Sequence, residues 1–545
     1  MSVFSSVRGN RVGRSVFNLS HVKRFTCDMG ELIPALFLEC VPGDTFKIGC
    51  DVVTRFQPLV APILDSVDMT VHYFFVPTRL LMDSDKDWET FLTGGKDGTD
   101  TSVSLPLWNF SFSDGYPGSG NTPFSNRYNW GKYSLWDYFG LPVDASKSYE
   151  FYSSIKEANH ILAFPQRAYN LVFNEYYRDE NLVDEVVKDN GTILYRSWKK
   201  DYFTSSLPWQ QRGVSPALPI SGSIPLEGTL MIDNPAFIME NTSGQNFITF
   251  DGQNAIKGTV AGATGVANTV SGRIKGVGAT VNLEGASTFD VAVLREAFQI
   301  QRWLELNARG GVRYTEFLNN HFGIAPRDEV LQRPQYIGGT KSSIVVSEVL
   351  QTSQTTKGDS GSPQGSLAGH GLGAMSDFVC TYTAKEFGYI IGIASWMPKP
   401  SYQQGVNRMF SRQTKYDFYF PEFAHLSEQA VTVGELYATG NPEHDNSIFG
   451  YQSCYSEMRY MPSINCSDMR DTFSYWHLGR IFSSSPSLNA GFLTTNPKFS
   501  GGIRKDIFAD QNSKGLLVQF GNVIKAIRPL PVYGTPGFID HVGRM

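Results

Sequence analysis

Gly358-Asp359-Ser360-Gly361-Ser362-Pro363 nearly reproduces the Gly-Asp-Ser-Gly-Gly-Pro signature around the nucleophile of serine proteases. That chemistry needs a histidine to take the serine proton and a buried aspartate to orient the histidine. No Ala-Ala-His-Cys-like segment precedes the motif, and the nearest upstream histidine, His321, lies in a polar helical stretch. The motif sits in the polar tract QTSQTTKGDSGSPQGSLAGHG, which reads as a loop. His370, in the same tract, has no second histidine or carboxylate cluster nearby and reads as a loop-packing side chain. Glu175, Asp179 and Glu180 suggest an acid pair or a metal site, but Arg178 shares their segment and ion pairing is the simpler outcome. Trp198 and Trp209 near Asp201 resemble the walls of a sugar groove, yet glycoside hydrolysis needs a second carboxylate and none is close in sequence. A phosphate-cradling glycine loop leading into a helix is missing, as is the dinucleotide fingerprint. Cys27, Cys40, Cys50, Cys380, Cys454 and Cys466 lack the close spacing of zinc ligands and read as free thiols from a reducing compartment. These residues assemble no catalytic, cofactor or metal site.

Binding chemistry remains. Arg8, Arg11, Arg14, Lys23 and Arg24 all precede the first acid, Asp28, with Phe4, Phe17 and Phe25 among them. This composition predicts an extended arm that orders on a partner. The arm would meet either a phosphate backbone, with phenylalanines stacking on bases, or neighbouring subunits. Five such charges give a salt slope of at most about −3.5 on single strands, at ~0.7 per neutralised phosphate. A net charge of −5 excludes a generally basic nucleic-acid coat, so any such contact is local. Charged residues make up only 18% of the chain and aromatics 13%, which with abundant Gly and Pro favours extensive protein–protein contact over an outsized core. The N-terminus shows no signal-peptide core, and no run approaches the ~20 apolar residues of a membrane span.

The elements that must carry these residues centre on EFGYIIGIASWMPKPSYQQG, residues 386–405. Its isoleucines and aromatics, with Gly388 and Gly392, predict a strand buried on both faces that stops at Pro398 and Pro400. VDMTVHYFFVP, residues 67–77, is a strand of the same kind far upstream. DTFKIGCDVVTRF, residues 44–56, alternates with Phe46, Ile48, Cys50 and Val52 on one face, and is expected to pair with 67–77 as the first two sheet strands. Residues 81–130 read as a long surface loop, and 134–140 as a short helix capped by Ser134 and closed by Gly140. Pro165 opens a helix with Tyr169, Val172, Phe173, Tyr176 and Tyr177 on one face, packed on a sheet.

Between Gly213 and Ser287 the texture changes to Gly, Ala, Thr and Val, with no Trp or Tyr between Pro219 and Ser287, as in a small β-rich insertion. Such an insertion is cheap to close, but it has few large side chains for a core of its own. Residues 287–310 then form the strongest helix. It is capped by Ser287 and stopped by Gly310-Gly311, and two apolar stripes predict that it is buried. A short helix follows over 314–321. Residues 417–423 and 514–520 are candidate strands, and the proline-rich end, AIRPLPVYGTPGFIDH, is an extended docking tail.

Taken together, RAYNLVFNEYYRDENL (167–182), SEVLQTS (347–353) with GSLAGHG (365–371), IIGIASWMPKPSYQQG (390–405) and LPVYGTPGFIDH (530–541) resemble the major capsid proteins of microviruses, most closely the gokushovirus branch. The resemblance implies a mainly β fold, an eight-stranded antiparallel jelly roll of the viral capsid type with long inserted loops and a few helices. It also implies sixty copies in a T=1 icosahedral shell, the virion capsid, assembled in the host bacterial cytoplasm around circular single-stranded DNA. The implied partners are the chain itself, the DNA genome, a small basic internal protein, a scaffolding protein and a host receptor; no enzyme activity, cofactor or membrane insertion is implied.

In this reading residues 1–40 are a basic arm, 41–212 carry the first strands, 213–287 form a surface protrusion, and 288–545 carry the rest of one structural domain. The arm cations Arg8, Arg11, Arg14, Lys23 and Arg24 face the genome, and Gly258, Val260, Thr264, Val266 and Thr269 belong to the host-attachment protrusion. The rival reading is a non-viral jelly roll that binds or cleaves carbohydrate.

Overall fold

Strands Val67–Pro77 and Gly388–Pro398 pair antiparallel along their whole length, from Pro77 opposite Gly388 to Val67 opposite Pro398. The computed structural model describes residues 13–84, 86–108, 131–143, 154–155, 157–216, 231–232, 249–251, 255–258, 270–275, 291–309, 313–324, 327–350, 367–423 and 426–533. Nine strands form one antiparallel path. They are β1 (Ser15–Asn18), β2 (His21–Cys27), β3 (Ile33–Cys40), β4 (Thr45–Phe56), β5 (Val67–Pro77), β6 (Gln335–Leu350), β7 (Leu367–Thr383), β8 (Gly388–Pro398) and β9 (Leu516–Arg528). Their order is β1-β9-β4-β7-β6-β5-β8-β3, with β2 also on β9, so β1 and β2 share the outer edge. β6 pairs with β5 as far as Ile344 and with β7 from Val345 onward, carrying the path from one sheet to the other.

Side-chain periodicity explains the layers. Strand β4 buries Phe46, Ile48, Cys50 and Val52 and exposes the residues between Val52 and Phe56 alternately, and β9 alternates in the same way. These strands have one wet face. β5 and β8 are buried on both. Met69, Val71, Tyr73 and Phe75 join the core facing β4, whereas Phe74 and Val76 meet a second apolar layer with Ile391 and Ile393. That layer contains helix Phe164–Val172, opened by Pro165 and continued by a π-turn at Phe173–Tyr177; Tyr169, Val172 and Phe173 pack there, and the Tyr176 ring lies 4.7 Å from that of Phe74. The short helix Leu135–Tyr138 has the expected cap: the Asp137 N–H donates to Ser134 Oγ, and Gly140 is left-handed.

Several expectations need correction. Strands β4 and β5 are not hydrogen-bonded neighbours; β7 and β6 lie between them in the path. They meet face to face instead: Trp396 Nε1 donates to Thr54 Oγ1 (3.1 Å), whose hydroxyl lies 3.4 Å from Met69 Sδ. Alternation identifies a strand's faces, but not its neighbours. The expected arm is sheet from Ser15 onward, because β1 and β2 complete their hydrogen bonds on β9. The supposed loop 81–130 holds a helix, Asp87–Thr93, and a fully buried Trp108 whose ring meets Trp136 edge-on at 5.4 Å. Residues 417–423 are not a strand; a Thr414–Asp417 capping box and Pro421 turn them into 3₁₀ segments. The tail begins later than expected, since Ala526 to Arg528 end β9; residues 534–545 lie outside the described residues.

The chain divides into two compact units, Met1–Gln210 with Asn307–Met545, and Gln211–Leu306. In the second unit Met231–Ile232, Thr249–Asp251, Ala255–Gly258 and Val270–Lys275 form a four-stranded antiparallel sheet. Helix Val291–Arg309 begins in that unit; Ser287 and Gly310-Gly311 lie outside the described residues. It is not buried: Phe298, Ile300, Trp303 and Leu306 are exposed, so the described residues do not cover both apolar stripes. Tyr314–Phe322 is the expected short helix, closed by left-handed Gly323.

Candidate nucleic-acid interface

The wet face of β2, β9, β4 and β7 gathers cations that are scattered in sequence. Cross-strand register sets them in rows: Arg24, Gln519 and Val53 in one, Leu517, Arg55 and Leu372 in another, and Asn18, Lys525 and Lys47 in a third. Arg24, Lys47, Arg55 and Lys525 are exposed there, and exposed Arg14 precedes β1 at the margin. The acid in register beside them is Asp51, which accepts from Ser376 Oγ (2.6 Å), whereas Asp377 stands opposite core-facing Cys50 and accepts from Thr340 Oγ1. Lys47 and Lys525 are direct cross-strand partners, a like-charge juxtaposition that costs stability. An anion lying between them would turn that cost into binding energy. Val22, Val53, Val523 and Phe378 are exposed on the same strands, Phe378 by 67%, and supply sequence-tolerant apolar and stacking surface between the charges.

The residues expected from sequence fare unequally. Arg14 and Arg24 lie on or beside this face. Lys23, one residue out of phase with Arg24, turns inward and donates from Nζ to the carbonyls of Pro34 (2.6 Å) and Tyr138. Burial pushes its pKa down to about 8 against the raising influence of Asp137. Phe25 is packed rather than available, with its ring edge-on to Tyr138 and Trp396 at 6.2 and 6.1 Å, and Phe17 packs against the same core. Arg8, Arg11 and Phe4 lie outside the described residues. Lys47, Arg55 and Lys525 were not anticipated. The signal was present, since Lys47, Asp51 and Arg55 fall at even spacing in a strand whose other face is apolar. Of the attachment candidates, Gly258 ends a strand opposite Val270, and Val260, Thr264, Val266 and Thr269 lie outside the described residues.

The candidate catalytic groups have structural partners. Asp201 is buried and accepts from the N–H groups of Phe203 (2.9 Å) and Thr204 (2.8 Å) and from Tyr402 OH (2.6 Å). Trp198 is covered by the Arg480 guanidinium, 5.1 Å from its ring centre, so no tryptophan-walled groove flanks that carboxylate. Glu175, Asp179 and Glu180 pair with Arg333, Lys200 and Arg313. His370 is not in a loop but on β7 opposite Ser347, and the motif 358–363 lies outside the described residues. All six cysteines are free thiols, and among the described residues no cluster of three His, Cys, Asp or Glu could hold a metal.

Residues 5–538 match the family model described as capsid protein (F protein). The chain is 33% identical to capsid protein VP1 of Chlamydia phage 1, covering 98% of this chain and 97% of the relative. It is 32% identical to capsid protein VP1 of Bdellovibrio phage phiMH2K and 29% identical to that of Spiroplasma virus 4, each with 98% and 97% coverage.

Proposed function

Because the chain belongs to the capsid protein (F protein) family and is the major capsid protein of a gokushovirus-type microvirus, we propose that sixty copies close into a T=1 shell around single-stranded DNA. The wet face of β2, β9, β4 and β7 meets the genome. The observation that carries this reading is the Lys47–Lys525 pair, set among Arg14, Arg24 and Arg55 on a face with few acids. Apposed like charges are tolerated best where a polyanion neutralises both.

Five cations per subunit make the face a helper in packaging. This leaves room for a small basic internal protein, with a scaffolding protein guiding closure. The separately compact unit Gln211–Leu306 is proposed to carry host attachment, because its composition departs from the rest of the chain and it folds on its own strands. No covalent chemistry is needed: binding energy at closed symmetry axes is the product of the fold.

Negative-stain electron microscopy of particles from infected cells, with nuclease-resistant DNA measured on the same sample, tests the reading. Uniform closed shells protecting single-stranded DNA are expected. A monodisperse monomer with no protected DNA, in the presence of the other viral proteins, refutes it.

A further inference from the structure

The segment Arg408–Phe423, with Leu426 beyond it, carries an apolar surface that the described residues leave uncovered. Phe410 and Tyr416 are 75% and 65% exposed, and Phe418, Tyr419, Phe420 and Leu426 are 44 to 55% exposed. Tyr416, Phe423 and Phe420 form a linked set of rings: Phe423 lies 6.2 Å from Tyr416 and 6.0 Å from Phe420. At ~150–250 Å² per large side chain, these six residues expose roughly 500–800 Å². Summed over the segment, that approaches the ~800 Å² that each partner contributes to a standard interface.

The segment is held from beneath. Arg408 donates to Glu435 Oε1 (3.2 Å) and to the Ala430 carbonyl, and Arg412 pairs with Glu457 at 3.5 Å. The Arg412 guanidinium also lies 5.2 Å from the centre of the Phe418 ring, and Tyr419 meets Tyr455 edge-on at 5.1 Å. The Thr414–Asp417 capping box fixes the turn between them. Such anchoring lowers the ordering cost of association, as expected of a preformed binding surface.

We infer that Arg408–Phe423 is a contact between two copies of this chain in the shell, its exposed rings buried by the neighbouring subunit. The occupant is a second copy because the area matches one side of a standard subunit interface. Six large apolar side chains in one stretch also suit a permanent protein partner better than a polyanion. The inference rests on the shell reading above.

The test places p-benzoylphenylalanine at position 410 and irradiates assembled particles. An adduct joining two copies of the chain is expected. In parallel, the triple change Phe410→Ser, Tyr416→Ser, Phe420→Ser is expected to leave the subunit's near-ultraviolet circular dichroism and melting intact while lowering particle yield at least tenfold. Adducts only to DNA or to a different polypeptide overturn the inference. Normal particle yield from a folded triple variant with no chain–chain adduct also overturns it. If the unsubstituted chain forms no particles, the shell reading itself fails, a result separable from either of these.

Discussion

Removing Lys47, Arg55 and Lys525 from the wet sheet face tests the nucleic-acid reading quantitatively. Neutralisation of five phosphates by Arg14, Arg24, Lys47, Arg55 and Lys525 gives a salt slope of about −3.5 on single-stranded DNA. The triple change Lys47→Gln, Arg55→Gln, Lys525→Gln leaves two contacts and a slope of about −1.4. Between 50 and 200 mM salt the first slope weakens binding by roughly 100-fold and the second by roughly 7-fold. Fluorescence anisotropy of a labelled oligothymidine titrated with subunits released from particles reads both slopes. Relief of the Lys47–Lys525 repulsion should also stabilise the variant by about 0.2–1 kcal/mol, so lost affinity cannot be blamed on unfolding. Lys23→Gln is the control: its inward Nζ should leave the slope unchanged. A triple variant that keeps a slope near −3.5, or a Lys23→Gln variant that loses as much, refutes the assignment of this face.

Three further outcomes follow from closely packed positions. Burial and the nearby Arg196 push His72 down to about 4 from its ordinary 6.5, while one ring nitrogen lies 2.8 Å from Tyr177 OH. The unfolded chain therefore binds the extra proton, and about 3 kcal/mol of stability present above pH 6.5 is lost as pH falls towards 4. Denaturant melts at pH 7 and pH 4 should show His72→Phe losing less between the two than the unsubstituted chain. Lys514 lies 3.1 Å from Asp28 and also pairs with Glu31, both buried, with Lys505 2.7 Å from Asp28. Lys514→Met should cost about 3–5 kcal/mol in urea unfolding by stranding charge, and adding Glu31→Gln should recover part of it. Gly405 has no room for a side chain, since a Cβ would stand 1.9 Å from the Glu435 carbonyl oxygen. Gly405→Ala should therefore lower stability by at least about 3 kcal/mol, beyond ordinary overpacking, and a melting temperature within a degree of the unsubstituted chain would contradict this packing.

The sheet's central strands were legible because their chemistry is local. Ile390, Ile391, Ile393 and Trp396 leave no polar face, and Met69, Val71, Tyr73 and Phe75 recur at every second position. The aromatic helix after Pro165 was legible for the same reason. Strand adjacency was not, because which strand lies beside 45–56 depends on segments more than 300 residues downstream. The cationic face was half legible. Clustering in sequence suggested the N-terminal cations, but only register brings Lys525 opposite Lys47 and only phase turns Lys23 away from Arg24. Helix Val291–Arg309 misled for a different reason: apolar stripes specify that something must cover them, not that the same chain does so.

The place of β9 sets a timetable for making the protein. Residues 516–528 lie between β4 and the β1–β2 edge, so residues 15–27 and 45–56 cannot complete their pairing until that strand has been synthesised. At 5–20 residues per second, more than 450 residues of synthesis leave those N-terminal strands waiting roughly 25–100 s beside the ribosome. Unpaired β edges in that interval are open to wrong partners, including the same strands on neighbouring nascent chains. Translation speed and chaperone supply should therefore limit the yield of competent subunits before any encounter between finished copies.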